Sequence, residues 1–137
     1  MHIYESYSTQ DTMNIAKMLA TEAAEGSIFL LNGQMGSGKT VFAKGFALGL
    51  GIEQPITSPT FTLLNIYNGI LPLYHFDLYR CKGQVVDQGF EDYFFGQGVC
   101  LIEWGEYALD ILPYHTTINI QINHEMGQNY RLIGVNK

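Results

Sequence analysis

Hydrophobic and polar positions change period several times along this chain, and each change marks an element. His2 to Tyr7 alternates loosely and predicts an edge-like strand. Ser8 or Thr9 can then cap a helix with Asp11 in its first turn. Ile15, Met18, Leu19 and Ala23 recur at helical spacing, up to a stop at Gly26. Ser27 to Asn32 is a short apolar run of strand length. Val41 to Leu50 returns to helical spacing and ends at Gly51. The chain then turns polar from Ile52 to Phe61, where Pro55 and Pro59 forbid regular helix. Two apolar stretches, Phe61 to Tyr67 and Leu71 to Leu78, flank Asn68-Gly69 and predict a hairpin with a tight turn. Arg80 to Gly89 reads as loop, Gly89 to Phe95 as a short helix, and Val99 to Trp104 as a buried strand carrying an acid at its end. A short helix is expected from Glu106 to Leu112, before Pro113. Thr116 to Asn123 alternates strictly, and Glu125 to Gln128 turns the chain into a last strand, Tyr130 to Val135. Interleaved strands and helices predict an α/β fold in layers, with a mixed, largely parallel central sheet plus hairpins.

Between the second strand and the second helix lies Gly33-Gln34-Met35-Gly36-Ser37-Gly38-Lys39-Thr40, which spells G-x-x-x-x-G-K-T. Strand, loop, helix is the setting a phosphate-binding loop requires, so a three-layer P-loop NTPase fold is expected. Glycines let the backbone curl and bring N–H groups onto phosphate oxygens, and the helix N-terminus adds partial positive charge. The cradle would run through Gly33, Met35, Gly36, Ser37, Gly38, Lys39, Thr40 and Val41. Lys39 would reach the β- and γ-phosphates, and the Thr40 hydroxyl would ligate Mg²⁺.

A Mg²⁺–nucleotide site needs a carboxylate besides Thr40, at the C-terminal end of an apolar strand. Glu103 ends Val99-Cys100-Leu101-Ile102, and Asp77 ends Leu73-Tyr74-His75-Phe76. Glu103 is expected to be the nearer metal ligand, because its strand is the more apolar and so the more central. Asp77 would sit beside the γ-phosphate, orienting the metal shell or the attacking water. His75 reads more readily as a hydrogen-bonded structural group than as a base. Trp104 suits either the core or the edge of the site. Arg80 is either a structural bridge to a carboxylate or a functional group. Thr57-Ser58-Pro59-Thr60, hydroxyl-rich and stiffened by proline, can fold over the γ-phosphate and release after hydrolysis.

Composition narrows the partners. The 137 residues make one domain, 1–137, with a formal net charge of −6. Lys17, Lys39, Lys44, Arg80, Lys82, Arg131 and Lys137 form no stripe, which argues against direct binding to a nucleic-acid backbone. Cys81 and Cys100 lack metal or redox spacing and read as reduced thiols. There is no apolar run of membrane-spanning length and no signal-peptide pattern after Met1, so a cytoplasmic protein with no membrane partner is expected.

Four blocks in order carry a family resemblance: Gly33 to Thr40, Ser58-Pro59-Thr60-Phe61-Thr62-Leu63, Tyr74-His75-Phe76-Asp77-Leu78-Tyr79-Arg80, and Leu101-Ile102-Glu103-Trp104. Together they resemble the TsaE (YjeE) family over Tyr7 to Arg131. The second pair of blocks is far more specific than the loop. The resemblance implies a cytoplasmic hydrolase of ATP with Mg²⁺ that supports threonylcarbamoylation of the tRNA adenosine beside the anticodon. It implies TsaD and TsaB as partners, reset by ATP turnover, with tRNA met only indirectly through that complex. It assigns phosphate and metal to Lys39 and Thr40, the second metal ligand to Glu103, and help in hydrolysis to Asp77. Ser58 and Thr60 resemble a first switch segment, and Trp104 matches the family motif.

The chain departs from that family at Gln34, where Asp is usual, and at Gly105, where Pro is usual. It also stops at Lys137, earlier than many relatives, which would remove contacts made by a C-terminal extension. The Gln34 side chain is expected to face outward, altering partner or water contacts without loss of ATP. One rival is a nucleotide-gated binding module with negligible turnover. A small-molecule kinase is weaker still, since a lid with several arginines is missing.

Overall fold

The computed structural model describes residues 1–82 and 89–137; most of the loop expected at Arg80 to Gly89 lies outside the described residues. The strands are β1 (His2–Ser6), β2 (Ile28–Gly33), β3 (Leu64–Tyr67), β4 (Leu73–Asp77), β5 (Val99–Glu103), β6 (Thr116–Ile122) and β7 (Arg131–Asn136). The helices are α1 (Thr9–Thr21), α2 (Lys39–Gly49) and the single turn α3 (Glu91–Phe94). They form one 7-stranded sheet in the order β1-β7-β6-β2-β5-β4-β3. β2 pairs in parallel with β5 and β6, and β4 with β5. β1–β7, β3–β4 and β6–β7 are antiparallel. The sheet is therefore evenly mixed: parallel at the centre, where crossovers join the strands, and antiparallel at both margins, where the β3–β4 and β6–β7 hairpins lie and the first strand pairs with the last.

β2 shows why the centre is so apolar. Phe29 and Leu31 enter one core with α1 and α2, while Ile28 and Leu30 enter the other with Phe76, Phe94 and Ile102. A strand covered on both faces has no polar side to display. β6 follows its strict alternation, with Ile118 and Ile120 buried. α1 begins as expected: the Ser8 side chain accepts from the Asp11 amide, with Asp11 in the first turn. It ends at Thr21, sooner than Gly26, and its Ala23 belongs to the following turn.

Two glycines bring α2 against α1. A Cβ on Gly45 would lie 2.4 Å from the Met13 carbonyl oxygen, and one on Gly49 would lie 2.5 Å from that of Lys17. This close seat fixes α2, and with it the loop at its N-terminus.

The β3–β4 hairpin differs from its reading. Tyr67 pairs with Leu73, so residues 68–72 form a longer loop rather than a two-residue turn. Gly69 is needed because a Cβ there would meet the Leu50 carbonyl oxygen at 2.3 Å, a demand of close approach that a turn motif does not reveal. Strand β3 also starts late, at Leu64, because Leu63 adopts a left-handed φ of 68° that breaks extension. The helix expected from Glu106 to Leu112 is a 3₁₀ turn at Gly105–Ala108 followed by turns. Its single-turn length before Pro113 leaves few backbone bonds to support more.

Candidate functional site

β2 lies where the chain order reverses, with β5 on one side and β6 on the other. The crevice beyond the C-terminal strand ends at such a reversal is where open α/β sheets place ligands. Three strand ends meet there. Leu31 of β2 is in register with Glu103 of β5, and Glu103 with Asp77 of β4. Alternation from Leu73, Val99 and Leu101, which face the α1–α2 core, carries His75, Asp77 and Glu103 to that same face.

The loop leaves β2 at Gly33, where an added Cβ would lie 2.4 Å from Ser37 Oγ. Gly36 and Gly38 take positive φ values of 79° and 109°, the conformations that curl the backbone into a concave run of amides. Ser37 N–H donates to the Gln34 carbonyl at 3.0 Å. Among the described residues, the amides of Met35, Gly36, Gly38 and Lys39 donate to no protein acceptor. Gly38 is the N-cap of α2 and supplies no side-chain cap. The helix thus presents unsatisfied donors and its positive dipole end to the crevice, which suits an anion such as phosphate. Ser37 Oγ is buried and has no partner among the described residues. Met35 is 97% exposed, so only its backbone can serve a ligand. Gln34 is exposed, as its outward orientation requires.

Lys39 Nζ lies 3.7 Å from Glu103 Oε1 and 5.9 Å from the centre of the Trp104 ring. His75, 2% exposed, places Nε2 3.0 Å from Glu103 Oε2 and so fixes the far side of that carboxylate. The hydrogen-bonded reading of His75 is the one the structure supports. Trp104 stands at the site's edge rather than in the core. It holds a left-handed φ of 60° and stacks on Tyr107 at 6.0 Å, with Tyr79 at 4.8 Å.

Asp77 is 7% exposed, less open than a strand-end acid. Its Oδ1 accepts from the Tyr79 amide at 3.0 Å and its Oδ2 from Thr60 Oγ1 at 3.2 Å. Ser58 Oγ lies 2.7 Å from Thr60 Oγ1, so the 58–60 segment is tied to the tip of β4. Among the described residues Arg80 pairs with no acid; its Nη1 donates to the Phe61 carbonyl at 3.2 Å, pinning the same segment from its other end. Thr40 and Val41 lie in the first turn of α2 beside Lys39. Val41 also lines a hollow with Ser8, Thr9, Thr12, Ser37 and Gly38.

The side chains present are hard oxygen donors, the Thr40 hydroxyl and the carboxylates of Glu103 and Asp77, a set that suits Mg²⁺. No group of three or more His, Cys, Asp or Glu positioned to hold a metal occurs among the described residues.

The sequence reading missed Arg131. Its Nε donates to the Ser37 carbonyl at 2.8 Å and its Nη2 to the Gly36 carbonyl at 3.2 Å, across more than ninety residues of chain. A guanidinium opening a strand gives no local signal; only the loop's need for outward carbonyls points to such a partner. The two thiols are free and buried, and burial pushes Cys100 up to about 12. No helix among the described residues is long and apolar enough to cross a membrane.

Comparison with known proteins gives one consistent result. A family model described as "Threonylcarbamoyl adenosine biosynthesis protein TsaE" matches residues 6–133. The chain is 47% identical over 111 residues to the tRNA threonylcarbamoyladenosine biosynthesis protein TsaE of Bacillus subtilis, covering 80% of this chain and 70% of that one. It is 47% identical over 120 residues to the protein of the same name from Treponema pallidum, covering 85% and 89%. The crystal structure of Bacillus subtilis YdiB superposes with a TM-score of 0.81 at 40% identity, covering 96% of this chain and 82% of that chain.

Proposed function

The chain belongs to the TsaE family, which serves tRNA threonylcarbamoyladenosine biosynthesis, and from that premise we propose that it is a Mg²⁺-dependent subunit that binds and hydrolyses ATP. Its fold is then that of a P-loop NTPase and its place the cytoplasm. It supports transfer of the threonylcarbamoyl group to the tRNA adenosine beside the anticodon by resetting a TsaD–TsaB complex, and meets tRNA only through that complex. The observation that carries this reading is the meeting of Lys39 with Glu103 at 3.7 Å beside an uncapped helix N-terminus.

Each residue has a role that follows from where it stands. The amides of Met35, Gly36 and those from Gly38 to Val41 hold the phosphates, with Gly33, Gly36 and Gly38 giving the backbone its curl. Lys39 exchanges Glu103 for phosphate oxygens when nucleotide arrives. Thr40 and Glu103 would hold Mg²⁺, which would supply positive charge to offset that of the phosphates. Asp77, with two of its acceptor sites already committed, orients water or the metal shell. Ser58 and Thr60, joined to Asp77, and Arg80, joined to Phe61, couple the site to a surface where Phe61 is 86% exposed. Trp104 lies over Lys39 and lets that surface sense the nucleotide.

The chain's two arginines, Arg80 and Arg131, both donate to backbone carbonyls. Arg131 is held by four such bonds, which leaves only the exposed Arg80 to neutralise charge on a transferring phosphoryl group, so turnover by the isolated chain is slow. That observation also favours the second reading, a nucleotide-gated module with negligible turnover. ATP hydrolysis measured with and without TsaD–TsaB separates the two. Stimulation by the complex is expected; tight ATP binding with no turnover even in the complex selects the module.

A further inference from the structure

We propose that Arg131 is the positioning residue of the phosphate loop: a brace that sets the loop in its anion-binding form before any nucleotide arrives. The proposal rests on the reading of Gly33–Thr40 as a phosphate site. Its basis is the direction of two peptide groups. A trans peptide points its C=O and N–H in opposite directions. Arg131 takes the carbonyls of Gly36 and Ser37 from outside the loop. The next amides, Ser37 and Gly38, must therefore point away from Arg131. Ser37 N–H is occupied by the Gln34 carbonyl, whereas Gly38 N–H has no acceptor among the described residues.

The brace is itself anchored. Arg131 opens β7, in register with Ser6 of β1 and Ile122 of β6. Its Nη1 donates to the carbonyls of Gln128 and Tyr130 at 2.9 and 2.8 Å. With these bonds made, the guanidinium is committed to backbone on both sides. This matters most at Gly36 and Gly38, since glycine alone sets no preference between positive and negative φ. Without the brace only a fraction of loops hold the competent form, and apparent affinity falls by that fraction.

The brace needs the guanidinium fork; a simple positive charge near phosphate does not. R131K keeps the charge but cannot span both carbonyls. Binding of N-methylanthraniloyl-ADP, with inorganic tripolyphosphate as competitor, is measured on wild type, R131K and R131Q. Both variants are expected to bind each ligand about tenfold or more weakly, from loss of two charge-assisted bonds. In the nucleotide-free wild type, the Arg131 Nε proton is expected to exchange slowly, since it is held at the Ser37 carbonyl. Wild-type affinity in R131K overturns the brace, as does a loss seen with the nucleotide but not with tripolyphosphate. Free-arginine exchange at Nε overturns it without any variant, should R131Q fail to fold. A wild type that binds neither ligand removes the phosphate reading, and the brace with it, whereas the preceding outcomes leave that reading intact.

Discussion

Replacing Glu103 by Gln separates the two tasks of that carboxylate. In the nucleotide-free protein it lies 3.7 Å from Lys39 Nζ. Unit charges at that distance attract by about 4.5 kcal/mol at an effective dielectric of ~20, and by about 1 kcal/mol in water. The side chains keep only 19% and 14% exposure, and the hydration they have lost offsets most of that attraction. A net attraction of about 1–2 kcal/mol must then be given up when Lys39 moves to phosphate. E103Q removes this competition and the repulsion between carboxylate and phosphate. In EDTA, E103Q is therefore expected to bind ATP about 5–30-fold more tightly than wild type. With Mg²⁺ the order reverses: wild type gains affinity, E103Q gains little, and turnover falls by roughly 100-fold or more, the scale for removing one group that stabilises transition-state charge. The Gln amide can still meet His75 Nε2, so the fold is retained. The assay is a fluorescent ATP titration in EDTA and in Mg²⁺, alongside phosphate release with the TsaD–TsaB complex present. If E103Q hydrolyses ATP at the wild-type rate with unchanged Mg²⁺ dependence, Glu103 is not the metal ligand and Asp77, its register partner, takes that place.

Three further outcomes follow from other contacts. Thr60→Val removes the donor to Asp77 Oδ2 and is expected to lower partner-stimulated turnover, while stability falls by only about 0.5–1.5 kcal/mol in urea unfolding. Gly45→Ala drives a Cβ to within 2.4 Å of the Met13 carbonyl oxygen and 2.7 Å of its Cα, so α2 must shift from α1. Thermal unfolding should show a loss of about 1–3 kcal/mol, and a neutral result would contradict the close seat of the two helices. Burial holds the Cys100 thiol protonated up to about 12, against an unfolded value of ~8.5. The folded state then binds the proton that the unfolded state releases, so this group's contribution to stability declines as pH rises from about 9 towards 12. Native protein at pH 8 should resist maleimide at Cys100, and unfolding in urea should expose it.

Local period explains which parts were legible from sequence. Double-faced burial made β2 and β5 continuous apolar runs, and the glycine-rich loop between strand and helix showed in its own spacing. The acids at the strand ends also followed, because a strand's last residue must emerge at the sheet edge where the loop stands. Contacts that depend on distance in space left no such trace. Gly69 looked like a turn residue, although its reason is the Leu50 carbonyl. Leu63 sits inside an apolar run, yet its left-handed backbone ends the strand early. Arg131 looked like one of several scattered bases, because its partners lie on the far side of the sheet's chain order.

The charges at the crevice decide what form of nucleotide it admits. One cation, Lys39, faces two acids, Glu103 and Asp77, in a chain of net charge −6. Arg131 reaches the loop with its donors on the Gly36 and Ser37 carbonyls. A bare triphosphate would meet oriented amides and one lysine, but also two carboxylates with no cation between them and the γ-phosphate. A divalent cation entering with the nucleotide converts the same acids from repulsive groups into ligands. On the proposed reading, such a site would favour the Mg²⁺ complex over free ATP. Selectivity for that complex comes from placing acids, rather than further bases, at the neighbouring strand tips. It follows that extra positive charge engineered at Asp77 or Glu103 would raise affinity for metal-free nucleotide while discarding the discrimination that makes hydrolysis depend on the metal.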